Sequence, residues 1–224
     1  MKLNAVLFAQ GLCFFSPAPR PAFFIPDLIK DVQARYSFVR VPTTADEVLP
    51  LAEGKPIVFH HGKFVHDKRP ILVHALHLAS QWVAIETTPG TTDDADIVLS
   101  DFVNWLAPGV REAPPRAYVS HLEVRLDVSL DRSYPLFAML GDMISHKLQE
   151  YGSPVVPQSL ARPVFEVSSV EMQPDPGEHF VSCAFRIERR IGQPFAAEMY
   201  FSQAPLRTAD HIATLNTFEK VLTG

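Results

Sequence analysis

Pro89–Leu106 reads PGTTDDADIVLSDFVNWL, and Pro205–Leu222 reads PLRTADHIATLNTFEKVL. Set in register 116 positions apart, the two stretches agree at Pro89/Pro205, Thr92/Thr208, Asp94/Asp210, Leu99/Leu215, Phe102/Phe218 and Leu106/Leu222. That is six identities in eighteen positions, where chance pairing at average composition gives about one. Both stretches open with a threonine helix cap, place carboxylates at the positive end of the helix dipole, and repeat apolar residues with a 3.6-residue period. In the first, the apolar set is Ala95, Val98, Leu99, Phe102, Trp105 and Leu106.

Outward from these helices the same order of elements precedes each. The same offset lays Lys2–Phe8, an apolar run read as a strand, on Tyr118–Val124, and lays a short helix near Asp27–Arg35 on Met143–Tyr151. In the first half, Ser37–Val41 reads as a strand, and Thr44 to Glu47 reads as a capping box opening a brief helix that ends near Gly54. Pro56–Thr88 is rich in β-branched and aromatic residues and reads as consecutive antiparallel strands cut at His61-Gly62 and at Asp67-Lys68-Arg69. In the second half, Leu136, Leu140, Ile144 and Leu148 step through a helix as its core stripe. Strands follow at Val164–Met172, Phe180–Ile191 and Phe195–Ser202, turned at Asp175-Pro-Gly and Gly192-Gln-Pro. A proline-rich linker, 108–116, separates a first unit, 1–107, from a second, 117–224.

Two units of strand, helix, strands, helix predict an α+β fold. They would share one curved antiparallel sheet about a pseudo-two-fold axis, with the helices on one face. This order is similar to the TATA-box-binding-protein-like architecture, a resemblance of layout across the whole chain. A DNA saddle of that kind needs a basic groove and apolar wedges. Here 20 Lys+Arg stand against 25 Asp+Glu, for a net charge of -5. No global field exists to hold a polyanion, and nucleic acid is not the expected partner.

Tyr118, Ser120, Leu122, Val124, Leu126 and Val128 alternate with His121, Glu123, Arg125 and Asp127, the pattern of a half-buried strand. The uncovered face of the second unit is therefore expected to carry His121, Glu123, Arg125, Asp127, Arg186, Glu188, Arg190, Glu198 and Tyr200. This mixed-charge surface is the candidate binding face. His121 with Glu123, beside Arg186 and Glu188, has the residue types for acid and base work, and the same residues make cross-strand ion pairs on any wet sheet. Nucleophile elbows, glycine-rich phosphate loops and zinc-protease helices are missing from the sequence, so no catalytic residue is assigned.

Five histidines fall within eighteen residues: His60, His61, His66, His74 and His77. Neighbours on a strand point to opposite faces, which rules out chelation by His60 with His61. A cross-strand triad such as His60, His66 and His74 is geometrically open to a metal, and strand-surface histidines are the competing reading. No cofactor is expected. Cys13 and Cys183 are too few for a disulfide framework or a metal knuckle and lie in apolar settings, which fits a reducing, cytoplasmic compartment. The opening run to Ala18 imitates a secretory signal, but Asn4 and Gln10 interrupt it and Pro17 and Pro19 crowd the cleavage site. No run reaches the roughly 18 apolar residues of a spanning helix.

The expected function is a non-catalytic binding protein that takes a protein partner, or a second copy, on the exposed sheet face or in the cleft between units. The alternatives are a small-molecule binder or enzyme at the repeat interface, using His121, Glu123, Arg125 and Tyr200, and a nucleic-acid binder by analogy of fold.

Overall fold

The computed structural model describes residues 1–14, 25–48, 55–106, 115–127, 130, 135–150, 166–173 and 182–223. The fold is α+β. Eight antiparallel strands form one sheet: β1 (Lys2–Phe14), β2 (Ile57–His66), β3 (Arg69–Leu78), β4 (Trp82–Thr87), β5 (Arg116–Arg125), β6 (Ser169–Met172), β7 (Phe185–Arg189) and β8 (Met199–Ala204). Their spatial order is β2-β3-β4-β1-β5-β8-β7-β6. Five helices accompany it among the described residues: α1 (Ile25–Tyr36), α2 (Ala45–Val48), α3 (Thr92–Leu106), α4 (Pro135–Glu150) and α5 (Thr208–Thr223). No described helix is long and apolar enough to cross a membrane.

The sheet's alternation separates two faces. Ile71, Val73, Leu76 and Leu78 of β3, Val83 and Ile85 of β4, and Cys13 of β1 turn to α1 and α3 and form one buried cluster with Leu28, Val32, Leu99 and Phe102. Leu122 and Val124 of β5, Ile187 of β7 and Tyr200 of β8 turn to α5 and form a second with Leu215. Burial of these side chains is the main stabilising term, at about 25 cal/mol per Å² of apolar surface removed from water.

Several expected elements take a different form. The first strand runs on to Phe14 because Ala9, Gly11 and Cys13 alternate inward beneath α3. His61-Gly62 does not cut a strand: β2 passes through it in unbroken register with β3, His61 at φ 56°, while the hairpin turns at Asp67 and Lys68 as expected, both at positive φ. Ser37 leaves α1 in the left-handed region, and the expected strand at Ser37–Val41 reduces to a bridge between Arg40 and His60. Glu47 caps α2 as expected, accepting from the Thr44 and Thr43 amides at 3.3 and 2.9 Å. In α4, Leu140 and Ile144 are exposed rather than core, and the side chains of Leu136 and Leu148 lie outside the described residues. So do the linker residues 108–114, the turn at Asp175-Pro-Gly, and the parts of the expected strands at 164–165 and 180–181. The expected strand beginning at Phe195 opens as a single 3-10 turn, Phe195–Ala197.

The N-terminal turns of α3 and α5 meet. Thr91, one residue earlier than expected, caps α3, exchanging bonds with Asp94: its amide donates to Oδ2 at 3.0 Å, and the Asp94 amide donates to the Thr91 hydroxyl at 3.3 Å. Arg207 rather than Thr208 stands before the first turn of α5, its carbonyl accepting from the His211 amide at 2.8 Å. Both following threonines are thereby released to each other. The Thr92 amide donates to Thr208 Oγ1 at 3.0 Å, and the Thr208 amide donates to Thr92 Oγ1 at 2.8 Å. Two positive dipole ends in contact repel. Asp93 and Asp96 supply negative charge there and are bridged by Arg207, at 3.1 and 3.3 Å. Each hydroxyl satisfies the other helix's buried amide, so Thr92→Val and Thr208→Val are each expected to cost about 1–2 kcal/mol. In a double-mutant cycle read by denaturant unfolding the two are expected to be non-additive, and strictly additive costs would remove the reciprocal pair.

Candidate binding face

The sheet face opposite α1, α3 and α5 follows from the cross-strand register. Beginning at Glu86 on β4, the neighbours on this face are Ala75 on β3 and Gln10 on β1; Gln10 lies opposite Val119 on β5, and Phe8 opposite His121. Beyond β5 come Gln203 beside His121 and Phe201 beside Glu123, then Arg186 and Glu188 of β7, and Glu171 of β6. Phe8, Leu12 and Phe201 are half-buried and Val119 is buried, giving the face an apolar centre with polar flanks.

Of the expected site residues, the structure brings five to this face. His121 packs edge-on to Phe201, ring centroids 5.9 Å apart. Burial lowers its pKa, against a smaller opposing pull from Glu188. Glu123 accepts from Arg190 at 2.8 Å. Arg186 pairs with Glu188 at 3.0 Å and reaches Glu171 at 3.9 Å. Arg125 is exposed at the end of β5. The arginines over β7 are thus each matched by a carboxylate of the same face.

Glu198 and Tyr200 depart from the expectation. Glu188 lies opposite Phe201, so Phe201 and not Tyr200 shares its face. Glu198 follows the 3-10 turn in the left-handed region at φ 47°, which resets the alternation before β8 begins. Tyr200 is fully buried on the helix side, its hydroxyl bonded to Glu198, which also accepts from Arg189 at 3.3 Å. Burial and the Glu198 carboxylate push the Tyr200 phenol well above its usual pKa. His121, Glu123, Arg125 and Tyr200 therefore do not converge on one pocket.

At the other flank, the His77 ring stands 3.0 Å from Glu86, and the Gln10 amide donates to the same carboxylate at 3.0 Å. Burial works to raise the Glu86 pKa; His77, the nearby His74 and Gln10 together outweigh it and hold the carboxyl below its usual range. His61 and His74 meet edge to face at 5.5 Å, with His60 6.1 Å from His61. Burial, Arg40 and the neighbouring imidazoles lower the His60 pKa. His66 is apart from this group: it stands 3.4 Å from Asp67 and, with Phe64, Asp96 and Asp101, lines a cavity of about 300 Å³ between β2 and α3. The triad of His60, His66 and His74 is thus divided between the two faces. Among the described residues no three His, Cys, Asp or Glu side chains are grouped to hold a metal ion. The Cys13 thiol, buried beneath α3, is pushed up to about 11 by desolvation, as expected of an inert core thiol.

Sequence reasoning missed the apolar centre. Phe8, Gln10 and Leu12 carry its signal, an alternation beyond the point where the first strand was expected to end. Phe201 was legible only once the turn before β8 fixed the register. No protein-family model matches the chain, and no curated protein matches it in sequence.

Proposed function

We propose that this is a non-catalytic binding protein, built of two related units sharing one sheet, which receives a protein partner on the open sheet face. The observation that carries the reading is the face itself: an apolar centre at Phe8, Leu12, Val119 and Phe201, flanked by charges already neutralised by their own neighbours. Apolar area supplies binding energy, and paired charges cost less to bury than lone ones. A polyanion would find no unmatched row of cations over β7, and the polar residues first expected to form a small-molecule site point to both sides of the sheet.

The two-unit part of the reading is supported by the strand order, β2-β3-β4-β1 followed by β5-β8-β7-β6, in which each strand of the first unit has its counterpart at the mirrored position. It is supported too by the reciprocal bonds of Thr92 and Thr208, 116 residues apart. A TATA-box-binding-protein-like saddle is the arrangement these features favour, used for a protein and not for DNA.

Phe201→Glu places a carboxylate in the apolar centre without touching either core cluster. A protein retained by the immobilised wild-type chain is expected to bind the variant at least about tenfold more weakly, a change of roughly 1.4 kcal/mol, while the melting temperature is unchanged. Equal retention by both proteins overturns the face. A retained small molecule in native mass spectrometry would transfer the reading to a ligand site, and a mass of two chains lost with Phe201→Glu would identify the partner as a second copy.

A further inference from the structure

We infer that the β2–β3 half of the open face docks a carboxylate-rich segment of a protein partner, and holds it more tightly as the pH falls through the range in which histidines gain their protons. The inference rests on the open face being the interface, and it adds the chemistry of the partner and the condition under which it is held.

Five of the chain's nine histidines belong to this face. His121 stands beside the apolar centre, and the other four form one patch on β2 and β3. His60 lies opposite Ala75 and His77 opposite Val58, both pairs on the open side, whereas Gly62 and Val73 turn to the helices. His61 and His74 fall between those pairs, are exposed, and bring their rings within 5.5 Å of each other. His60 is 6.1 Å from His61, and His74 is near enough to Glu86 to favour its ionised form.

The fixed charges around the patch cancel among the described residues. Arg40, bridged to His60 along the outer edge of β2, stands 3.6 Å from Glu47 of α2. Lys63 of β2 is exposed on the same side, and Glu86 of β4 is engaged by His77 and by the uncharged Gln10 of β1. With two cations set against two carboxylates, protons on the imidazoles decide the sign of this half. Histidine is the side chain whose ordinary charge change falls between pH 5 and 8.

The four rings act as one electrostatic unit. Protonation of His60 is opposed first by burial, then by Arg40 and by each of the other three imidazoles. Like charges gathered here repel, and carboxylates brought by a partner relieve the repulsion. Binding therefore takes up protons, and by reciprocity protons strengthen binding. The patch also runs into the apolar centre: Gln10 lies opposite Glu86 and stands between Phe8 and Leu12 along β1. A chain carrying both acidic and apolar side chains matches the two together. A uniformly charged strand finds no continuous track, because the arginines over β7 already have carboxylate partners.

The probe is a labelled ten-residue peptide alternating Asp and Leu, with the Asn and Leu peptide as its uncharged counterpart, titrated by fluorescence anisotropy against the full chain at pH 8 and pH 6. Wild-type affinity for the acidic peptide is expected to rise at least about fivefold at pH 6, the joint effect of several individually weak exposed ion pairs. His61→Asn/His74→Gln is expected to reduce that gain to about twofold or less. Asparagine suits the left-handed backbone at position 61, and neither ring belongs to a core cluster, so the variant keeps its fold. His66→Gln, on the helix side, is expected to keep the whole gain. Three results overturn the inference: no gain in the wild type, the same gain in the double variant, or the same gain with the uncharged peptide. A loss in His66→Gln half that of the double variant also overturns it, by assigning the gain to net charge. Tighter binding of a ten-nucleotide oligothymidylate than of the acidic peptide at pH 6 overturns the protein partner in favour of nucleic acid. Phe201→Gln separates this inference from the reading beneath it. Weaker peptide binding by that variant at both pH values, with no gain in the wild type, keeps the face and refutes the proton dependence alone. Unchanged binding by Phe201→Gln with the gain intact refutes the apolar centre and upholds the histidine patch.

Discussion

His211→Leu is expected to remove about 2–4 kcal/mol of stability at pH 8 and, at the same time, to flatten the acid side of the stability profile. The His211 ring is fully buried in the first turn of α5 and bonded on both edges: Nδ1 stands 2.7 Å from Ser120 Oγ on β5, and Nε2 stands 2.8 Å from Ser202 Oγ on β8. One imidazole thus ties a helix to two adjacent strands. Ser202 can also donate to the Arg186 carbonyl at 3.1 Å. Leucine leaves the Ser120 hydroxyl buried without the ring it faces, and an unmatched buried hydroxyl costs about 1–3 kcal/mol before any misfit in shape.

The pH dependence follows from charge. Protonation is opposed first by burial and then by His121, and the ring sits at the positive end of the α5 dipole. Its pKa is lowered to about 4, against the ordinary 6.5 it regains on unfolding. Between pH 6.5 and 4 the unfolded chain therefore binds the extra proton, so stability falls as pH falls through that window. The full contribution stands above pH 6.5, and its loss is complete below 4, amounting to roughly 3 kcal/mol. His60 and His121, also lowered, act in the same direction and remain in the variant. Urea midpoints at pH 8, 6, 5 and 4.5 compare the two proteins. The wild type is expected to lose stability more steeply than His211→Leu from 6.5 to 4.5, and parallel profiles would rule out His211 as the source.

The Ser120-His211-Ser202 tie also marks where reading of the sequence stops. Ser120 was legible as an inward residue of β5 because period-2 alternation places it with Leu122 and Val124. Nothing local in the sequence pairs it with a histidine 91 positions away. The same division runs through the candidate face. His121, Glu123, Arg186 and Glu188 fall where alternation puts them, since a strand's period is fixed by its pleat. Glu198 and Tyr200 do not, because a left-handed residue after a 3-10 turn resets the alternation and leaves no hydrophobic signature. The offset of 116 is a pattern of the sequence at the helix starts, where caps and carboxylates are under local constraint, and the same spacing separates Val6 from Leu122, which face each other across β1 and β5.

A second large effect is expected at Gly62, which also looked like punctuation between strands and is a packing position. Gly62→Ala is expected to cost about 2–3 kcal/mol, the upper range for overpacking a well-filled core. A Cβ there would lie 2.6 and 2.7 Å from Phe38 ring carbons and 2.9 Å from the Tyr36 carbonyl oxygen. Neither neighbour can withdraw easily. Phe38 is buried against Phe59, ring centroids 5.5 Å apart, and its backbone is held by hydrogen bonds of Val39 and Arg40 to the carbonyls of His61 and His60, both at 3.2 Å. The Tyr36 carbonyl is main chain, and its side chain is anchored to Asp101. The clash therefore pushes β2 away from the end of α1, next to His60 and His61. Phe38→Leu in the same chain removes the nearer ring atoms. The double variant Phe38→Leu/Gly62→Ala is accordingly expected to be more stable than the sum of its single changes, by about 1 kcal/mol in a denaturant cycle. If Gly62→Ala unfolds at the wild-type midpoint, then β2 has room beneath Phe38 and the glycine is not a packing position.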